Sequence, residues 1–148
     1  MIVGKGEDIV IARDVMTKSP ATVTPESTVA EAWDLMRELD VRHVPVVERG
    51  ALVGMLSDRD LSYLDMARVL TAESADALRR ELATAVVTIM RSDVVFVEPE
   101  TDMSDVVDLL IEHKIGAVPV VRGEGREVVG IVSYIDALRA LQALLQDE

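Results

Sequence analysis

Two short segments of this chain place a serine three residues before an aspartate. Ser57 precedes Asp60, Ser133 precedes Asp136, and both serines follow a glycine and two apolar residues. A serine where a strand ends can cap the helix that follows, and the free N–H groups of that helix start favour an anion such as phosphate. An aspartate one helical turn further on can accept hydrogen bonds from both hydroxyls of a ribose. The pattern therefore indicates a nucleotide site, although the same spacing also occurs in ordinary helix capping.

The two segments belong to an internal repeat. A VPVV segment at 44–47 recurs at 118–121, and Pro25-Glu26 recurs as Pro99-Glu100, both at a distance of 74 positions. After a two-residue insertion near 123–126 the distance becomes 76, and it then relates Asp60 to Asp136. A repeat this regular predicts two copies of one supersecondary unit packed about a pseudo-two-fold axis, with a cleft between the copies for a small ligand.

Each copy is predicted to fold in the order β-α-β-β-α, which gives an α/β (α+β) fold class. Turn glycines join two β-rich runs in each copy and indicate hairpins. The predicted strands cover 21–24, His43–Glu48 and Ala51–Ser57 in the first copy and 94–98, Ala117–Arg122 and Glu127–Ser133 in the second, and the closing helices cover 58–70 and Tyr134–Gln146. The predicted organisation is a lead-in (1–12), repeat 1 (13–70), a linker helix (71–87) and repeat 2 (88–146).

The first helix of repeat 1 has the clearest local signals. Thr28 and Glu31 fit a capping box, in which a hydroxyl and a carboxylate satisfy free N–H groups reciprocally. Apolar residues then follow at helical spacing, which predicts one buried face. The residues expected on that face are Val29, Ala32, Trp33, Met36 and Leu39.

The composition limits the classes of function. A net charge of −12 disfavours nucleic-acid polymers and anionic membranes, because both are bound by basic surfaces. The chain has no cysteine, which excludes disulfides and thiolate chemistry. Its start lacks the apolar core of a signal peptide, and no apolar run approaches the ~20 residues that span a bilayer. A cytoplasmic location without membrane contact is therefore predicted.

A proline interrupts an otherwise good strand in each copy. Pro45 and Pro119 cannot donate to a ladder, so each is expected at a sheet edge or at a strand start. We expect the backbone groups beside them, at Val44 and Val118, to be free to hydrogen-bond the edge of a purine. A strand-start proline without any ligand explains these residues equally well.

Taken together, the motifs resemble a tandem pair of CBS domains, also called a Bateman module. The resemblance rests on Val15-Met16 and Ile89-Met90, the two Pro-Glu-plus-helix segments, both VPVV segments and both endings of the form Gly, two apolar residues, Ser-x-x-Asp. It covers the chain from about residue 13 to residue 146. The resemblance implies binding of an adenosine-type ligand (AMP, ADP, ATP or S-adenosylmethionine) in the cleft between the repeats, and a sensor rather than a catalyst.

The resemblance also implies roles for particular residues. Asp60 and Asp136 would hold ribose hydroxyls, while Ser57, Ser133 and Arg59 would meet phosphate. Val44 and Val118 would offer backbone groups to the adenine, and Thr22-Val23 and Phe96-Val97 would form the other wall of the cleft. No metal ligand is expected, because His43 and His113 lack recurrent carboxylate partners, and no catalytic residue is expected, because no Ser/His/Asp arrangement has a supporting motif.

The second copy departs from the family pattern beside its aspartate. Tyr134-Ile135 stands where the first copy has Asp58-Arg59, so we expect the site at Asp60 to bind phosphorylated ligands more strongly. Further positive charge could come from Lys18, Arg42, Arg91 or Lys114, or these residues are simply solvated. A triphosphate would need such residues or Mg²⁺ on so acidic a protein.

Two functions remain open at this point. The first is a stand-alone sensor that binds an adenine nucleotide, has no other cofactor and signals in trans to a protein effector, since the repeats use nearly the whole chain. The second is a dimerising scaffold that has lost its ligand. A homodimer is expected in both cases, because the closing helices carry apolar stripes.

Overall fold

The structure is a computed structural model, and it describes residues 9–62 and 74–147. The elements of repeat 1 and its surroundings are α1 (Ala12–Val15), β1 (Thr17–Lys18), α2 (Val29–Leu39), β2 (His43–Glu48), β3 (Ala51–Ser57) and α3 (Asp58–Ser62). The remaining elements are α4 (Ser74–Leu82), a 3₁₀ turn (Val86–Thr88), α5 (Met103–His113), β4 (Ala117–Arg122), β5 (Glu127–Ser133) and α6 (Tyr134–Gln146). The chain therefore has the α/β class that its repeat pattern predicts.

The two hairpins confirm the predicted strand bounds, while the first strands are shorter than predicted. In the β2–β3 hairpin, residues pair antiparallel from His43 opposite Ser57 to Glu48 opposite Ala51, and β4 and β5 pair in the same way. The segments 21–24 and 94–98 each make only one parallel bridge, Val23 with Val46 and Val97 with Val120.

The predicted helices are found within the described residues, with one part left outside them. α6 has the predicted bounds, and α4 lies inside the predicted linker helix. Of the helix predicted over 58–70, the structure describes the first turn, α3, and residues 63–70 lie outside the described part. The predicted lead-in is described from residue 9 onward.

Helix α2 begins where the capping box predicts. The Thr28 hydroxyl accepts from the Glu31 N–H at 3.1 Å, and the Glu31 carboxylate accepts from the Thr28 N–H at 2.9 Å. Val29, Ala32 and Met36 are buried. Trp33 and Leu39 are 40% and 50% exposed, so the predicted face was too wide. Trp33 lies beside the buried stripe and Leu39 is the last helical residue, where the chain turns away through a left-handed Asp40.

The described chain divides into two compact units. The middle unit contains residues 21–94, and the terminal unit combines residues 1–20 with residues 95–148. The middle unit packs the β2–β3 hairpin and α2 around a core that includes Val29, Val44 and Leu56, all fully buried. The terminal unit packs the β4–β5 hairpin and α5 around a core that includes Val106, Val118 and Val132.

The segment that leads each sequence repeat lies in the unit of the other repeat. Residues 12–20, which lead repeat 1, place β1 against β5 in the terminal unit, with Thr17 opposite Ile131. Residues 86–94, which lead repeat 2, lie in the middle unit, where Met55 and Arg91 exchange two backbone hydrogen bonds of 2.9 Å. Each unit is therefore a hairpin from one repeat completed by the leading segment of the other.

In each unit, a methionine of the leading segment packs directly against a glycine of the hairpin. The Met90 side chain lies where a side chain on Gly54 would be, and Met16 lies in the same way on Gly130. These are the glycines of the two Ser-x-x-Asp endings. The close approach requires a residue without a Cβ atom, which gives both glycines a packing role.

No helix in the described ranges is both long enough and apolar enough to cross a membrane.

Candidate functional site

In the middle unit, Ser57 and Asp60 form a capping box where β3 runs into α3. The Ser57 Oγ accepts from the Asp60 N–H at 3.2 Å, and the Asp60 Oδ2 accepts from the Ser57 N–H at 2.9 Å and from the Ser57 hydroxyl at 3.0 Å. The local capping role that the sequence left open is therefore present. It uses one carboxylate oxygen and leaves the other, Oδ1, for another partner.

The Oδ1 atom of Asp60 faces Arg91 of the leading segment. The Arg91 Nε lies 3.7 Å from Oδ1, and the Asp60 side chain is only 12% exposed whereas that of Arg91 is 64% exposed. A largely solvated guanidinium beside a mostly buried carboxylate makes a weak and displaceable ion pair. Asp60 thus presents one oxygen that hydroxyl donors can reach if the Arg91 side chain moves.

In the terminal unit, Ser133 and Asp136 form the matching capping box. The Asp136 Oδ2 accepts from the Ser133 N–H at 3.0 Å, and the Ser133 Oγ accepts from the Asp136 N–H at 3.1 Å. The partner from the leading segment is Thr17, whose hydroxyl lies 3.4 Å from Oδ1 and 3.5 Å from Oδ2 of Asp136. The two sites thus share one geometry, with a cation at the aspartate in one and a hydroxyl in the other.

Thr17 is a site residue that the sequence did not single out. The repeat register contains the signal, because Thr17 is the counterpart of Arg91 at the distance of 74 positions. Its contact with Asp136 could not be inferred from that register, since the register relates residues to their copies and not to the unit in which they pack.

The charged surroundings of the two aspartates differ. Near Asp60, Arg42 lies 4.0 Å from the Asp58 carboxylate, both side chains being exposed, and Arg59 is exposed on α3. Beside Asp136, the corresponding helix start presents Tyr134 and Ile135, which are 46% and 41% exposed. The residue just before Asp60 is therefore a cation, Arg59, whereas the residue just before Asp136 is the apolar Ile135.

His43 lies close to the acidic groups of the middle unit. Burial lowers the pKa of His43 below its usual 6.5, and the charges of Asp58 and Asp60 oppose that shift while Arg42 adds to it. A neutral imidazole is therefore favoured near neutral pH. Protonation of His43 would add a positive charge close to Asp60.

The expectation of free backbone groups at Val44 and Val118 is wrong. The Asp58 N–H donates to the Arg42 carbonyl at 2.9 Å, so the backbone groups of Arg42 point toward β3. Val44 is two residues further along and opposite Leu56, so its backbone groups point toward the same strand and bond within the hairpin. In the terminal unit, Tyr134 N–H donates to the Gly116 carbonyl, which turns Val118 toward Val132 in the same way. The absence of an N–H group on the proline therefore does not determine the direction in which the backbone groups of the preceding valine point.

The same alternation assigns the opposite edge of each hairpin to other residues. The Pro45 carbonyl accepts from the Val23 N–H at 3.1 Å, and the Pro119 carbonyl accepts from the Val97 N–H at 3.1 Å. His43 and Ala117, two residues earlier, therefore direct their backbone groups toward that edge. This is the edge next to Val23 and Val97, the segments that were expected to form the second wall of the site.

The expected second wall divides into buried and exposed residues. Val23 and Val97 are buried at 7% and 5% exposure and belong to the cores. Thr22 is exposed, and Phe96 is 36% exposed with the Arg126 guanidinium 4.8 Å from its ring centroid. The exposed residue of this wall is therefore a threonine in the middle unit and, in the terminal unit, a phenylalanine whose ring makes a cation–π contact with Arg126.

The described residues contain no group of three or more His, Asp and Glu side chains placed to hold a metal ion.

Comparison with known proteins identifies the family. The CBS domain model matches residues 12–66 and 86–143, so the chain belongs to the CBS domain family and contains a tandem pair. The CBS domain-containing protein YhcV of Bacillus subtilis is 36% identical over 124 residues, which are 84% of this chain and 80% of that protein. Tandem CBS proteins are typically regulatory modules rather than enzymes.

Two solved structures similar to this chain contain adenosine compounds. The CBS pair of protein MJ0100, in complex with 5′-methylthioadenosine and S-adenosyl-L-methionine, is 26% identical and has a TM-score of 0.74, covering 91% of this chain and 98% of that one. The structure of CBSX2 in complex with AMP is 28% identical and has a TM-score of 0.75, covering 90% and 97%.

Proposed function

We propose that this chain is a regulatory module that binds an adenosine-type ligand at Asp60 and Asp136 and acts on a protein effector in trans in the cytoplasm. The observation that carries the proposal is the shared geometry of the two sites. In each unit a Ser-x-x-Asp box holds an aspartate against a helix start with one carboxylate oxygen outside the box. The adenosine compounds bound by MJ0100 and CBSX2 support a nucleoside as the ligand class.

Each aspartate would accept the ribose hydroxyls through its Oδ1 atom. Ser57 and Ser133 would keep the carboxylates oriented and add a hydroxyl beside the 5′ end of the ligand. Arg59 and the neighbouring cations would favour a phosphorylated ligand in the middle unit. Mg²⁺ would accompany a triphosphate, because the protein is strongly acidic. No step of catalysis is assigned to any residue.

A ligand-free scaffold is the second candidate function. It is favoured by the capping boxes, which already satisfy one oxygen of each aspartate, and by the apolar Ile135 at the terminal site. Both functions fit a homodimer formed through α6, none of whose side chains is buried within the chain. The exposed Leu138, Leu141 and Leu145 of α6 would be covered by the same helix of a second copy.

Thermal unfolding with candidate ligands separates the two functions. The protein is heated with AMP, ADP, ATP, S-adenosylmethionine or GTP, each with and without Mg²⁺. A ligand at about 100 times its dissociation constant adds about 2.7 kcal/mol, which raises the midpoint by several degrees. We expect such a rise for at least one adenosine compound and its loss in Asp60→Asn or in Asp136→Asn, according to the site that the compound occupies. No rise with any compound would favour the scaffold.

A further inference from the structure

The two leading segments place different residues at equivalent points of the two sites. Arg91 faces Oδ1 of Asp60 in the middle unit, and Thr17 faces Asp136 in the terminal unit. We propose that these residues set the charge preference of each site: Arg91 makes the Asp60 site selective for a nucleotide with a 5′-phosphate, whereas Thr17 leaves the Asp136 site to an adenosine compound without one. This inference rests on the proposed function.

The backbone of Arg91 is fixed beside Asp60. Its N–H and C=O both bond to Met55, each at 2.9 Å, and the preceding Met90 packs on Gly54. Gly54 is three residues before Ser57 on the same strand. The point from which the Arg91 side chain extends is therefore held by the strand that leads into the capping box.

The side chain of Arg91 is free to move. It is 64% exposed, and its Nε approaches Asp60 only to 3.7 Å, which is an ion pair without a hydrogen bond. A ribose whose hydroxyls donate to Oδ1 replaces this contact with stronger ones, because its O–H groups can bond directly to the charged oxygen. The displaced guanidinium stays next to the sugar and can bind a phosphate on its 5′ carbon in a bidentate manner.

Thr17 cannot take this role at Asp136. Its hydroxyl lies at 3.4–3.5 Å from both carboxylate oxygens and carries no charge. Ile135 stands where Arg59 stands in the other copy, so the helix start adds no cation there. A phosphate at the terminal site would face the Asp136 carboxylate without compensation from either residue, which favours an uncharged 5′ substituent.

The selectivity of each site therefore comes from the repeat that does not supply its aspartate. Asp60 belongs to repeat 1 and Arg91 to repeat 2, while Asp136 belongs to repeat 2 and Thr17 to repeat 1. A single repeat would therefore contain the capping box but not the residue, Arg91 or Thr17, that faces its aspartate.

The test compares AMP with adenosine by isothermal titration calorimetry, one site at a time. Asp136→Ala leaves the middle site as the reporter, and Arg91→Thr is added to it. We expect AMP affinity to fall by about tenfold or more, as for the loss of a charge-assisted bond, and adenosine affinity to stay within about threefold. Arg79→Thr in the same background is the matched control, since it removes an exposed, ion-paired arginine from α4, away from Asp60 in the sequence.

The reciprocal change tests the terminal site. In an Asp60→Ala background, Thr17→Arg should raise the affinity for AMP relative to adenosine. Equal weakening of AMP and adenosine by Arg91→Thr, strengthening of both, or no change would overturn the inference alone. Failure of both compounds to bind the wild-type protein would overturn the proposed function together with it.

Discussion

At the scale of single residues, the two aspartates have both a structural and a chemical role. The Oδ2 atom of Asp60 caps α3, while its Oδ1 atom faces a displaceable arginine. Asparagine at this position keeps an acceptor for the cap but loses the charge that attracts ribose hydroxyls and Arg91. The structure thus provides a substitution that separates folding from binding.

His43 gives a prediction at the same scale. Its pKa in the folded protein lies below the usual 6.5 because it is partly buried, so the unfolded chain takes up a proton first as the pH falls. The contribution of His43 to stability is therefore complete above about pH 6.5 and is lost as the pH falls from there toward the lower folded pKa. Urea unfolding from pH 7.5 to pH 5 should show a smaller loss of stability in His43→Gln than in wild type.

Surface His113 provides the control for this prediction. It lies exposed in the last turn of α5, and His113→Gln is the matched substitution at the other histidine of the chain. Identical pH dependence in wild type and His43→Gln would show that His43 does not contribute to it.

At the scale of elements, local sequence signals predicted most of the fold. The bounds of β2, β3, β4, β5 and α6 follow from turn glycines, apolar runs and the serine cap. These features act over a few residues, and so they can be recognised in one sequence. The first strands were predicted longer than the single bridges that form at Val23 and Val97, since the length of a strand depends on the partner it meets.

The leading segments could not be placed in this way. Residues 12–20 and 86–94 match each other in the repeat, but that match does not say which hairpin each segment joins. The contacts of Thr17 with Asp136 and of Arg91 with Asp60 arise because each leading segment packs in the unit of the other repeat. The direction of the Val44 backbone groups was also predicted wrongly, because that direction depends on the pairing of Val44 with Leu56.

The glycine beneath each leading segment should be sensitive to a single methyl group. In Gly54→Ala, the new Cβ would meet the Met90 sulfur and lie 3.0 Å from the Arg91 carbonyl oxygen. We expect a loss of about 1–3 kcal/mol in the free energy of unfolding, as for an overpacked core. Gly125→Ala, in open space at the tip of the β4–β5 turn, should stay within about 0.5 kcal/mol in the same chemical denaturation experiment. Equal stability of the two variants would contradict the packing role of Gly54.

At the scale of the whole molecule, many of the exposed apolar side chains among the described residues lie on α6. Leu138, Leu141 and Leu145 are 54%, 49% and 66% exposed, and their spacing puts them on one side of the helix. A contiguous apolar stripe of this kind is typical of an interface. It supports the proposed homodimer for both the sensor and the scaffold.

A charge placed in the stripe should separate the dimer. Leu141→Glu adds a carboxylate to a position that is already half exposed, so the fold of the chain should be preserved while the interface is lost. Light scattering after size exclusion should give a dimer for wild type and a monomer for Leu141→Glu. Ala143→Glu adds the same charge to an exposed position on the opposite side of α6 and should remain dimeric. A monomeric wild-type protein at all concentrations would refute the proposed interface.

The central claim is that Asp60 and Asp136 bind an adenosine-type ligand. Calorimetric titration of AMP and of S-adenosylmethionine into wild type, Asp60→Asn, Asp136→Asn and Asp58→Asn tests it most directly. The account predicts that at least one compound binds wild type and that Asp60→Asn or Asp136→Asn weakens it by about tenfold or more. Asp58→Asn, which changes an exposed neighbour, should bind like wild type. Absence of binding to wild type, or binding that neither aspartate affects, would contradict the account.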